Sequence, residues 1–115
     1  MIERALIPLV AARFKALGQP GRLAILSSLH DGEKSVSQLV AETERSQPNV
    51  SQHLSSLLRA GVVAARRDGN RMLYRIGDPY IERICSVVCA SVRKNAAEQG
   101  RRLQATAKAA RGRRG

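Results

Sequence analysis

Apolar residues recur at helical spacing along most of this chain and switch to strict alternation over one stretch near its centre. The clearest helix covers 46–60, SQPNVSQHLSSLLRA. Val50, Leu54, Leu57 and Leu58 stand at i, i+4, i+7 and i+8 and make one apolar stripe. Ser46 is placed to cap the N-terminus, and Pro48 lies in the first turn, where its missing donor costs nothing. Gly61 suits a left-handed stop. At about 100° per residue, Asn49, Gln52, Ser56 and Arg59 fall on the opposite side, flanked by Ser51, Ser55 and His53.

Upstream, Leu6, Leu9, Val10, Phe14 and Leu17 share one side of a helix within residues 1–17. Pro8 interrupts it, which predicts either a short arm before a helix starting near Pro8 or a kink there. Gly18-Gln19-Pro20-Gly21 is a break. Pro20 then opens a second helix to about His30, with Leu23, Leu26 and Leu29 or His30 facing in, and Asp31-Gly32 ends it. Ser35-Val36 reads as extended, and Ser37 is placed to cap a short third helix, 38–43, buried through Leu39 and Val40. Glu44-Arg45 leads into the central helix. Two short helices joined by a few polar residues, the second with a polar outer face, form a helix-turn-helix pattern. The turn lacks the glycine often found there.

After Gly61 the period falls to two. Residues 62–67 and 71–76 read as strands joined through Asp68-Gly69-Asn70. Met72, Tyr74 and Ile76 share one face of the second strand, and Arg71, Leu73 and Arg75 the other. A hairpin directly after a helix-turn-helix is the winged-helix arrangement. The expected fold is therefore mainly α with a small β-hairpin. Asp78-Pro79 opens a last helix, whose Ile81, Ile84, Cys85, Val88, Cys89 and Val92 form an apolar stripe over about three turns. The N-terminal helix does not suffice to cover this stripe. A second copy of the chain is the expected cover, with Ile81, Ile84, Val88 and Val92 at the seam of a homodimer.

Composition narrows the picture. A length of 115 residues leaves room for one core, and an aromatic content of 3% means that Leu, Ile, Val and Ala must build it. No apolar run reaches the length of a membrane span. Glu3, Arg4, Arg13 and Lys15 within the first 17 residues argue against a signal peptide. A cytoplasmic protein with no membrane partner is expected, its two cysteines reduced. The net charge of +11 calls for a polyanionic partner. From Arg93 onward eight basic residues face Glu98 alone. Residues 96–115 are accordingly expected to form a basic, disordered tail after a domain covering 1–95. In the hairpin, Arg66, Arg67, Arg71 and Arg75 oppose only Asp68. Such a hairpin can serve as a protected edge. Beside a helix whose outer face offers amide, hydroxyl and imidazole groups and no carboxylate, it points to DNA, since those groups read base edges and bind phosphates.

Taken together, the segments resemble the ArsR/SmtB family of small prokaryotic winged-helix repressors. The resemblance covers roughly residues 10–92 and rests on ALGQPGRLAIL at 16–26, SQPNVSQHLSSLLRAGVV at 46–63 and RRDGNRMLYRI at 66–76. It implies a homodimer formed through the N- and C-terminal helices that binds double-stranded operator DNA. Many members release the DNA when a metal ion or metalloid binds, or when thiols are oxidised. The resemblance makes 46–60 the recognition helix, with Gln47, Asn49, Ser51, Gln52 and His53 as DNA contacts. Arg66, Arg67, Asn70 and Arg71 correspond to the wing.

The chain departs from the family where sensing is concerned. Val36-Ser37-Gln38-Leu39 replaces the Cys-x-Cys pair of one family site, and His30 and His53 lie off the last helix, where another site needs histidine. The early thiol of sulfur-sensing members is absent too. Cys85 and Cys89 remain, at i and i+4, with Cβ atoms about 5–6 Å apart. That is long for a disulfide, but two bonds of about 2.3 Å to a soft ion span it. Three readings stay open. The pair packs the dimer seam; or it binds a thiophilic effector, trivalent arsenic or antimony first, with a third ligand from elsewhere; or it responds to oxidation or reactive sulfur. No obligatory cofactor is expected. Nor is an enzyme, since there is no Gly-rich phosphate loop, no paired carboxylates and no nucleophile near either histidine in sequence. The remaining alternative of another class is an architectural protein that binds nucleic acid without sequence preference, though few aromatics argue against RNA stacking.

Overall fold

Pro8 sets the first boundary. A 3-10 turn over Arg4–Leu6 leads into α1, Ile7–Leu17, with Pro8 in its first turn; of the two arrangements the sequence allows, this is the arm followed by a helix. The computed structural model describes residues 1–114; the side chains of 106, 107 and 109–114 lie outside that description, as does Gly115. α2 spans Pro20–Leu29, α3 Val36–Thr43, α4 Gln47–Arg59 and α5 Pro79–Arg114. Three strands, β1 Lys34–Ser35, β2 Val63–Asp68 and β3 Arg71–Ile76, form one antiparallel sheet in the order β1-β3-β2.

The third strand corrects the expectation of a hairpin alone. Lys34 pairs with Tyr74 and Ser35 with Leu73, so β1 extends the hairpin on its β3 edge. Ser35 also caps α3, in place of Ser37. Its hydroxyl accepts from Gln38 N at 3.3 Å, while Gln38 Oε1 accepts from Ser35 N at 2.8 Å. This is a reciprocal capping box, which starts the helix two residues early. The turn into α4 manages without glycine because Glu44 itself adopts the left-handed conformation, at φ 55°. In the hairpin, Asp68 pairs with Arg71 and leaves a two-residue turn opened by Gly69 at φ 63°.

The chain divides into two compact units, Met1–Ile81 and a second from Glu82 onward. The first holds the core: Leu17, Ile25, Leu26, Leu29, Leu39, Val50, Leu54, Leu57, Val62, Val63, Leu73 and Ile81 are all buried. α2 packs on α3 and α4. Its inner stripe is Gly21, Ile25, Leu26 and Leu29. Leu23 and His30 are exposed instead, because Leu23 lies about 200° around the helix from Ile25. Ser28 hydrogen-bonds Glu42, which also receives the Lys34 ammonium, tying α2, α3 and β1 at the surface. Those contacts hold the Glu42 carboxyl below its usual range. Asp78 has two tasks: Oδ1 accepts from Tyr80 N at 2.9 Å to cap α5, and Oδ2 takes Arg13 of α1 at 2.7 Å.

Two expectations about α5 change. Ile81 belongs to the core of the first unit, at 1% exposure, so it has no surface left for a seam. Where composition predicted disorder from residue 96, α5 runs as helix to Arg114. The segment is rich in Ala and Arg, both strong helix formers, and that local preference outweighs the repulsion of its charges. In the second unit Ile84 and Cys85 are half-buried, while Val88, Cys89 and Val92 are exposed.

The double use of Ser35 yields a test. Ser35→Ala should lower the unfolding free energy by about 1 kcal/mol, the usual cost of losing a cap, in urea titration. Ser37→Ala should leave the midpoint unchanged.

Candidate nucleic-acid interface

The outer face of α4 is fixed by what its inner face buries. Val50, Leu54 and Leu57 are removed from solvent, so Gln47, Ser51 and Gln52 must project outward, and all three are exposed. Ser46 Oγ accepts from Asn49 N at 3.2 Å and starts the helix at Gln47. Asn49 is half-buried. Its Oδ1 is out of solvent with no hydrogen-bond partner among the described residues. An amide oxygen left this way is an unmet acceptor at the edge of the exposed face.

His53 is a different case. It is half-buried and turned toward α2, where Nδ1 accepts from Arg22 Nε at 3.4 Å. Its Nε2 lies so close to Gly21 that a Cβ there would sit 2.5 Å away. Both ring nitrogens thus face α2. Burial first, then the charges of Arg22 and Arg45, push its pKa below the ordinary 6.5. The ring is kept neutral as an acceptor. Arg22 in turn donates through Nη1 to the Ala16 carbonyl at 3.1 Å, so one guanidinium joins the end of α1, the start of α2 and α4. Sequence reading missed Arg22 and Arg45, although Arg22 lies within a segment that carries the family resemblance and Arg45 just before another; only the fold brings them to one histidine.

β2 packs against α4, which places the basic hairpin beside the same helix. Arg67 and Asn70 are exposed. Arg71 lies 3.9 Å from Asp68, a loose pair. Arg66 is tightly held: Nε and Nη2 donate to the two carboxylate oxygens of Glu33 at 2.7 and 3.2 Å. The bond to Arg66 holds Glu33 below the usual carboxylate range and raises Arg66. The cysteines carry no bridge, and burial, then the Glu82 charge, push the Cys85 thiol up. Among the described residues no group of three or more His, Cys, Asp or Glu is arranged to hold a metal ion. No helix among them is long and apolar enough to cross a membrane.

Comparison with known proteins agrees with this geometry. Residues 19–65 match the family model for bacterial regulatory proteins of the arsR family. A probable mercury resistance operon repressor from Streptomyces lividans is 40% identical over 84 residues, covering 73% of this chain and 67% of that protein. The crystal structure of Rv0081 from Mycobacterium tuberculosis superposes with a TM-score of 0.76 at 38% identity, over 84% of this chain and 98% of that one. The solution structure of a homodimeric winged helix-turn-helix DNA-binding domain from Mycobacterium bovis gives 0.74 at 33% identity, over 84% and 91%.

The neutral histidine predicts a pH effect. The unfolded chain takes up a proton near pH 6.5 that folded His53 resists. Its contribution to stability is therefore complete above that value and is lost as pH falls through the lower, folded value. Urea midpoints of the wild type should drop between pH 7.5 and pH 5 by more than those of His53→Gln, which keeps a neutral acceptor at every pH.

Proposed function

The chain belongs to the ArsR family of bacterial regulatory proteins, and from that premise we propose that it is a homodimeric repressor that reads its operator with the outer face of α4. It is a transcription regulator, not an enzyme. The observation that carries the reading is the face itself: Gln47, Ser51 and Gln52 exposed on a helix whose inner side is fully seated, with the basic hairpin alongside. Gln52 and Gln47 contact bases, with Ser51 on base or phosphate. Asn49, half-buried beside them, joins the contact set. Arg67, Asn70 and Arg71 contact the backbone, and Arg66 does so only after leaving Glu33. Residues 1–95 carry recognition and dimerisation, and the basic segment 96–115, helical through Arg114, adds sequence-independent positive charge.

Dimerisation follows from apolar faces that the single chain leaves open. Leu9 and Phe14 on α1, and Val88 and Val92 on α5, are more than half exposed. A second copy covers them, and Ile84 lies on the same α5 stripe. Two symmetric α4 helices then address an inverted repeat. On an operator duplex selected from random sequence, Gln52→Ala should lose on the order of 1–3 kcal/mol, with little loss on random duplex. Arg67→Ala should weaken both alike and reduce the salt slope by about one. Equal losses for Gln52→Ala on the two duplexes would move the reading face elsewhere, and one protomer per duplex in sedimentation would remove the dimer.

The effector in this reading is a thiophilic metal or metalloid held by Cys85 and Cys89. Trivalent arsenic or antimony comes first, and the name of the Streptomyces relative adds mercury. Both thiols are free, and Cys89 is exposed on a helix whose apolar stripe awaits a partner. The raised Cys85 pKa means that the incoming ion displaces a proton, so release should sharpen as pH rises. Wild type titrated with each ion should leave its operator with at least one of them, while Cys85→Ser/Cys89→Ser stays bound. Wild type that holds its operator through all three makes the pair a packing feature.

A further inference from the structure

Within the DNA-binding reading, one acid lies where a phosphate would be expected. Glu33 precedes β1, and its carboxylate is gripped by Arg66 through two parallel bonds, 2.7 and 3.2 Å long. Arg75 acts on the same carboxylate through its charge. The hairpin register explains why. Arg66 is opposite Leu73 and Arg75 opposite Ala64, so the two arginines stand on one face of neighbouring strands. Their charges converge on a single anion position, and the fork-on-oxygens geometry that a guanidinium makes with a carboxylate is the one it makes with a phosphodiester. Arg66 remains half exposed, so the position is open to an incoming group.

We infer that Arg66 and Arg75 form a subsite for a DNA backbone phosphate, and that in the free protein Glu33 occupies it as an internal stand-in. This rests on the DNA-binding reading above. DNA arriving at the wing must displace the carboxylate, or accept its negative charge nearby. Either way Glu33 lowers affinity for every duplex, whatever its sequence. The other acid of the hairpin, Asp68, lacks such a grip, standing 3.9 Å from Arg71. Glu33 therefore acts as a brake on sequence-independent binding in a chain of net charge +11.

The test is a double-mutant cycle on full-length protein with a random-sequence duplex, binding read by anisotropy across a salt series. Glu33→Gln should bind several-fold more tightly than wild type and steepen the salt slope by about one. Arg66→Gln alone should weaken binding and lower the salt slope by about one, because it removes the phosphate partner and leaves the Glu33 charge uncovered. Glu33→Gln/Arg66→Gln should lose the gain. A Glu33→Gln protein that binds with wild-type slope, or more weakly, makes the pair a splint for the hairpin and overturns the subsite; thermal melts of each variant show whether such weakening comes from lost folding. Failure of the underlying reading looks different: wild type would then show no salt-dependent binding at all.

Discussion

The seating of α4 against α2 is set by an absent side chain. At Gly21 a Cβ would meet the His53 ring at 2.5 Å and the Arg45 guanidinium at 3.1 Å. Any other residue there pushes α4 away or turns the histidine out. With glycine in place, His53 Nδ1 accepts from Arg22, and Arg22 reaches on to the end of α1. The polar bond at 3.4 Å is long and contributes modestly. Most of the stabilisation comes from Val50, Leu54 and Leu57, each worth about 1.5–3 kcal/mol once buried. The two effects divide the work: apolar burial fixes the rotation of α4, and the missing Cβ leaves room for the His53 ring against α2. The outward direction of Gln47, Ser51 and Gln52 is a consequence of both.

The charges matter on a different scale from the core. Surface ion pairs contribute little to folding, so Glu33–Arg66 and Asp68–Arg71 are nearly silent in stability. Toward a polyanion each net cation counts, because each phosphate neutralised releases counterions. The same pair that the fold barely notices therefore tunes binding. Arg13–Asp78 is of another kind, since Asp78 also caps α5 and its removal would free a helix end as well as an arginine.

Much of this was legible in the sequence, and the exceptions share a cause. The limits of α4 followed from Ser46, Pro48 and Gly61, and the hairpin from alternation around Asp68-Gly69-Asn70; local residues settle those features alone. β1 has two residues, too few to show a period, and the sequence assigns the cap of α3 to Ser37 because it does not show that Gln38 answers Ser35. His53 and Ile81 depend on tertiary partners. A flanking position on a helix turns inward only when the facing helix carries a glycine, and a stripe of apolar residues has the same period whether a core or a second chain covers it. Residue 81 is buried in the core, whereas residues 88 and 92 are exposed. Glu33 gave no signal, as its partner stands thirty-three residues away in β2.

The end of α5 shows how composition misleads when charge and propensity disagree. A basic, alanine-rich segment reads as disordered by its charge, yet most of its residues favour helix, and the helix continues to Arg114. Order changes what the charges do. At about 100° per residue, Arg93, Lys94, Arg101 and Lys108 fall within roughly 100° of one another, along one side of the helix. A flexible tail would add its charge to any nearby phosphate, whereas a helical stripe contributes where the polyanion runs alongside it at a matching angle. Gly100 is a point, like Gly112 further on, where the helix is poorly supported by its own residues, by about 1 kcal/mol relative to alanine. Arg93 and Lys94 before it are thus held in register with the apolar stripe, while Arg101 and Lys108 keep that register only as far as Gly100 transmits it.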